Sequence, residues 1–238
     1  MRSLGDMVTT TTEASPPSAP IRKATIRLAL AWVFLPLFFL VTGGSLGWWE
    51  AWVYCLIILA PMTVFVVRMA RKDPEFLARR LTLKEKERTQ RRVVTWGTPL
   101  ILVLFVIPGL DRRFGWSEPP LAIVVAAQAL ALASYLGVLG VFIANRWAGR
   151  TIETTPGQEV VSTGPYALVR HPMYVASLVL YLASAVALGS WWAVIPAVLY
   201  APVLVVRIVN EEEVLVRELP GYEEYRKKVR YRLLPLVW

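Results

Sequence analysis

Two short polar runs stand out against long apolar blocks: Arg170-His171-Pro172-Met173-Tyr174, and Arg207 followed by Glu211-Glu212-Glu213. Ionisable groups beside or inside apolar helices are costly to keep there, so each is a functional hypothesis by default. Pro172 suits the first turn of a helix, where a missing N–H costs nothing. Unsatisfied backbone N–H groups at such an end, with the helix dipole, favour an anion such as a ligand carboxylate. Tyr174, Ser177 and Tyr181 then recur at helical spacing and mark one polar-aromatic stripe. Arg170 and His171 fit a plain headgroup anchor equally well, so this run alone leaves both readings open.

Arg207 lies at the end of an apolar block, with Glu211 four residues later on the same helical face. An ordinary interfacial ion pair accounts for one Arg and one Glu. Three consecutive carboxylates beside anionic headgroups would be repelled by them, and make better sense turned towards a cationic ligand. An acid-rich helix end is also unfavourable if Asn210–Arg217 continues the preceding helix. Tyr166, on the turn at Gly164-Pro165, could stack on a planar heterocycle, although an interfacial tyrosine explains it as well.

Cysteine and histidine set limits. Cys55 is the single cysteine and His171 the single histidine, so an intrachain disulfide and a multi-histidine or cysteine metal site are excluded. The net charge of +9 would suggest nucleic acid in a soluble protein. Here Lys and Arg crowd the segments between apolar blocks and read as topology signals, with no basic-aromatic patch for nucleic acid.

These residues must be positioned by membrane helices. The chain is 56% hydrophobic and 18% charged, beyond the soluble average of about 45–50% and about 25%. The apolar residues come as blocks near the ~20 needed to cross a bilayer core: about Ala24–Leu46, Trp49–Val67, Val93–Leu110, Leu121–Ala144, Pro172–Leu188 and Trp191–Val206. The fold class predicted is an all-α integral membrane protein of about six transmembrane helices, or five if the last two form a re-entrant hairpin, with a cytoplasmic amphipathic C-terminal tail. Residues 1–22, rich in Thr, Ser and Pro, read as a disordered leader and not a secretory signal. Residues 23–145 make a four-helix region with a basic loop over 68–92, and 146–238 form the region that carries the chemistry.

Basic residues fall on alternate connections, which the positive-inside rule places in the cytoplasm. The expectation is therefore a multi-pass protein with both termini and the active site cytoplasmic. The basic loop would lie along the headgroups.

Gly164-Pro165-Tyr166, Arg170-His171-Pro172-Met173-Tyr174, Glu212-Glu213 and Leu219-Pro-Gly-Tyr-Glu-Glu-Tyr225, ending near Leu234-Pro235, together resemble the isoprenylcysteine carboxyl methyltransferase family. That family is similar in its C-terminal region to membrane phospholipid methyltransferases. The resemblance is dense from about Gln158 to Pro235 and its ordered combination is specific, whereas the first four spans resemble the family only in being apolar. It implies S-adenosylmethionine as the methyl donor. His171, Pro172, Met173 and Tyr174 would then contact the cofactor, Gln158, Val160, Val161 and Tyr166 would line its adenosine, and Glu212 would meet its positive charge. Arg207 matches the substrate-side arginine, which makes Arg207 and Glu212 the implied catalytic residues.

Methyl transfer from a sulfonium is an in-line displacement that needs alignment and exclusion of water, with no metal and no covalent intermediate. A carboxylate acceptor needs no base, and Arg207 could orient it through paired N–H bonds. An amine acceptor needs deprotonation, for which His171 or a glutamate is nearby. The implied partners are a lipophilic small-molecule or prenylated acceptor and the bilayer. The alternatives are a phospholipid amine methyltransferase, a sterol-type reductase using NADPH, for which no 2′-phosphate reader is visible, and a transporter or scaffold. Transport fits poorly, because the polar cluster sits at one membrane face and no internal repeat is visible.

Overall fold

A helix keeps every backbone hydrogen bond within its own segment, which is what lipid demands of a spanning chain. The apolar blocks accordingly form α-helices in the structure, a computed structural model that describes residues 18–81, 88–147 and 157–238. The helices are α1 (Ser18–Gly43), α2 (Trp49–Lys72), α3 (Pro74–Leu81), α4 (Arg88–Phe114), α5 (Leu121–Ala144), α6 (Pro172–Ala187), α7 (Val194–Glu218) and α8 (Tyr222–Lys228). A 3-10 turn at Gly164–Ala167 precedes α6, and no strand occurs among the described residues.

The all-α membrane architecture expected from the sequence is what is found. Five helices are long and apolar enough to cross a bilayer: Pro20–Gly43, Trp49–Lys72, Val93–Phe114, Leu121–Ala144 and Val194–Glu218. α6 is shorter. Its 16 residues reach ~24 Å at ~1.5 Å per residue, against a hydrocarbon core of ~30 Å. α7 compensates in the other direction, because it continues past the apolar block through Arg207 and the three glutamates to Glu218. The acid-rich end does continue the helix, and tertiary ion pairs described below outweigh the dipole penalty.

Most of the leader, residues 1–17, lies outside the described residues, whereas 18–22 are already helical. Of the basic loop, Pro74–Leu81 forms α3, with Phe76 and Leu77 buried, and 82–87 lie outside the described residues. Arg150 and Pro156 also lie outside them.

Small residues let helices approach closely where lipid supplies no hydrophobic drive between them. Ala127 and Ala131 of α5 and Ala183 and Ala187 of α6 are buried together in one core with Phe39, Trp48 and Tyr54. Gly109 of α4 does the same against α1, where an added Cβ would sit 2.9 Å from the backbone carbon of Thr42 and closer still to its side chain. Polar bonds tie the same end of the bundle. Arg113 Nη2 donates to Val41 O at 2.6 Å, and Trp48 Nε1 to Leu188 O at 3.3 Å. Asp111, 1% exposed, accepts from Ser117 and Ser190 and so joins the α4–α5 and α6–α7 connections.

Gly109→Ala is therefore expected to lower stability by ~1–3 kcal/mol through overpacking. Gly140→Ala, where nothing lies within 4 Å of the added carbon, should be neutral or slightly stabilising. Thermal unfolding of the detergent-solubilised protein measures both.

Candidate active site

α6 opens where its sequence requires. Gly164 takes φ +60, which glycine tolerates without strain, and the chain makes a 3-10 turn that presents Tyr166. His171 is the N-cap residue of α6 and Pro172 its first helical position. The N–H groups of Arg170 and His171 do not await a ligand. They donate to Tyr231 O at 2.9 Å and Arg232 O at 3.0 Å, on the segment that follows α8.

At the centre is Glu212, 2% exposed on α7. Arg170 donates to it through Nε at 2.6 Å and through its second guanidinium nitrogen at 3.3 Å. Arg232 Nε donates at 2.8 Å, and His171 Nε2 lies 3.2 Å from the same carboxylate. An ionised carboxylate only accepts, so His171 carries the proton of that bond on Nε2. Arg170 also donates to Val229 O and Arg230 O at 2.8 Å each. The start of α6, the middle of α7 and the C-terminal segment are thereby fixed to one buried anion.

In front of this cluster lies a cavity. Gln158, Val160, Val161, Tyr166, His171, Met173, Tyr174 and Arg207 line it, and Pro172 and Glu212 do not. Gln158–Val161 take no regular secondary structure, and Val160 packs on Leu219, Tyr222 and Tyr225.

Glu211, Tyr222 and Tyr225 also line the cavity, and the sequence assigned none of them an individual role there. Their signals were present. Glu211 is the acid that shares a face with Arg207, and the two tyrosines belong to the Leu219–Tyr225 run. Tyr174 bridges the two charged groups: its hydroxyl donates to Glu211 Oε2 at 2.5 Å and accepts from Arg207 Nε at 2.8 Å. Tyr225 donates to Tyr166 O at 2.8 Å. The Tyr222 hydroxyl is buried without a protein partner. Burial pushes it, and that of Tyr225, above the ordinary tyrosine range, and the charges of Glu212 and Glu211 raise Tyr222 further. Both stay protonated donors.

A second space adjoins the first. It is a groove of ≈ 550 Å³ between α4, α6 and α7, with Phe142 of α5 on its wall, within the size range of small-molecule sites. Met173, Tyr174 and Arg207 line both spaces, so the polar cavity and the largely apolar groove share one wall. Ser177 and Tyr181, the rest of the stripe seen in the sequence, face the groove.

Residues 121–221 match the model of the phospholipid methyltransferase family. The match runs from α5 through α7 and includes every sequence-predicted site residue. The resemblance to membrane methyltransferases therefore holds over that segment. The nickel-cobalt-cadmium resistance protein NccN of Alcaligenes xylosoxydans xylosoxydans is 26% identical over 145 residues, 59% of this chain and 63% of that protein. The similarity thus spans less than two thirds of the relative's length.

Removing Glu212 would leave buried Arg170 without its counter-charge. Glu212→Ala is expected to cost ~3–5 kcal/mol, whereas Glu213→Ala at an exposed position should stay within about 0.5 kcal/mol. Thermal unfolding of the two variants side by side checks the difference.

Proposed function

We propose that this protein is an integral membrane methyltransferase that binds S-adenosylmethionine in the cavity beside Tyr166 and passes the methyl group to a lipophilic acceptor in the adjoining groove. The observation that carries this reading is the shared wall of Met173, Tyr174 and Arg207. A polar chamber and a lipid-side groove that meet at one surface are what two reactants of opposite polarity need. The family match over 121–221 supports the same reaction class.

The residues present fit the cofactor. Tyr166, Tyr222 and Tyr225 offer flat faces for a heterocycle, and the unpartnered Tyr222 hydroxyl offers a donor to a polar ligand atom. Glu211 brings a carboxylate into the chamber, where it would face a positive centre; Glu212 would act from behind by holding Arg170 and His171 in place. The donor supplies an electrophilic methyl group on a sulfonium. What the chain does is align the acceptor in line with it and exclude water between the helices.

For the acceptor, a carboxylate of isoprenylcysteine type is the first reading. Arg207 lines the groove and would orient the carboxylate, and no proton has to be removed. A second reading, an amine of phospholipid type, draws on Glu211: with His171 donating to Glu212, the Tyr174–Glu211 pair would receive the proton. The basic residues on alternate connections support an orientation with the site on the cytoplasmic side.

Saturable binding of radiolabelled S-adenosylmethionine to the purified protein is the direct test, and its absence would discard the cofactor assignment. Glu211→Gln should weaken that binding by about tenfold or more, the scale of a lost charge-assisted contact, and Glu213→Gln should leave it unchanged. Arg207→Lys keeps the charge but loses the fork. It should reduce methyl transfer to added acceptors by about tenfold or more while cofactor binding holds within about twofold.

A further inference from the structure

The groove, read above as the acceptor site, has a floor. Its walls are helical, so its depth follows from residue spacing. α6 lines it from Met173 to Tyr181 and α7 from Arg207 to Tyr200, which at ~1.5 Å per residue gives ~10–12 Å. Met173 and Arg207 mark the head end, where the groove meets the polar cavity.

At the other end the rings of Tyr181 and Tyr200 meet edge to face, with centroids 5.3 Å apart and planes at 90°. Tyr200 reaches from α7 onto the backbone of α4 at Gly97, where an added Cβ would stand 3.0 Å from ring carbon Cε2. Tyr181 comes from α6, so the pair ties α4, α6 and α7 together. Behind it lies no continuing channel. Leu104, Ala185, Ala193 and Ala197 pack there at 0–1% exposure.

We propose that the Tyr181–Tyr200 pair is a length gauge for the acceptor, admitting an apolar body up to about 12 Å long and turning away longer straight chains. Of the two acceptors considered above, a carboxylate carrying one short isoprenyl or alkyl body fits that limit, and a diacyl phospholipid amine does not. Discrimination has to be steric. An apolar chain gains little from an apolar wall that lipid does not already offer, whereas a chain that overruns the floor must displace two packed rings. This inference rests on the methyltransferase reading of the groove.

The test uses the full chain in lipid nanodiscs and a series of N-acetyl-S-alkylcysteines from butyl to hexadecyl, compared at equal mole fraction in the bilayer. Competition against the radiolabelled octyl member measures binding, and label from S-adenosylmethionine measures transfer in parallel. Binding should fall by roughly tenfold once the chain overruns the floor, the scale of overpacking a core. Tyr181→Ala and Tyr200→Ala should move that cutoff by about two or more carbons, since each opens a cavity in the floor. Tyr181→Phe and Tyr200→Phe keep the rings and should keep the cutoff; Tyr181→Leu replaces the alanine variant if that fails to fold. No saturable binding, no cutoff, or a cutoff unmoved by the ring deletions would overturn the gauge. A movable cutoff without transfer of label would instead leave the gauge standing and remove the carboxylate-acceptor reading.

Discussion

The buried carboxylate of Glu212 is the constraint on which the rest of the site depends. A single anion at 2% exposure accepts from Arg170, His171 and Arg232, three residues from two separate parts of the chain. Burying such charges costs several kcal/mol each unless the geometry is good and the remaining donors are used. Here they are used: Arg170 spends its other guanidinium hydrogens on Val229 O and Arg230 O, and Trp238 covers Arg232, with the guanidinium 5.0 Å from the ring centre. The cluster is a clasp that holds the C-terminal segment on the start of α6.

That clasp decides where the neighbouring carboxylate can go. On a helix, adjacent residues point about 100° apart, so fixing Glu212 inwards turns Glu211 towards the cavity. Tyr174 then finds Glu211 on one side and Arg207 on the other. The same rotation brings Arg207 and Tyr200, seven residues apart, to one face of α7, and both line the groove. One buried ion cluster therefore sets the orientation of a helix that serves two spaces.

Membrane packing supplies the other half of the arrangement. Close approach of α5 to α6 through buried alanines, and the Asp111 junction with Ser117 and Ser190, hold the end of the bundle away from the site. The interior between that junction and the site is apolar and dense, whereas the site end is polar and open. The difference lets the groove stop at Tyr181 and Tyr200 while its head reaches the polar cavity.

Most of the architecture was legible in the sequence. Block length and charge placement announce membrane helices because lipid leaves a chain few other ways to satisfy its backbone, and α5 coincides with its apolar block, Leu121–Ala144. Residue types and order also placed Tyr166, His171, Met173, Tyr174 and Arg207 near one site. The sequence could not divide labour among Glu211, Glu212 and Glu213. Three identical side chains carry no mark of which faces inward, and that was decided only when Arg170, His171 and Arg232 converged on the middle one. The length of α7 had the same origin, since local preference argued against an acid-rich helix end and distant cations reversed it. The groove and its tyrosine floor arise from helices far apart in the chain. Periodicity within one helix can mark a stripe, but only tertiary packing shows what the stripe faces.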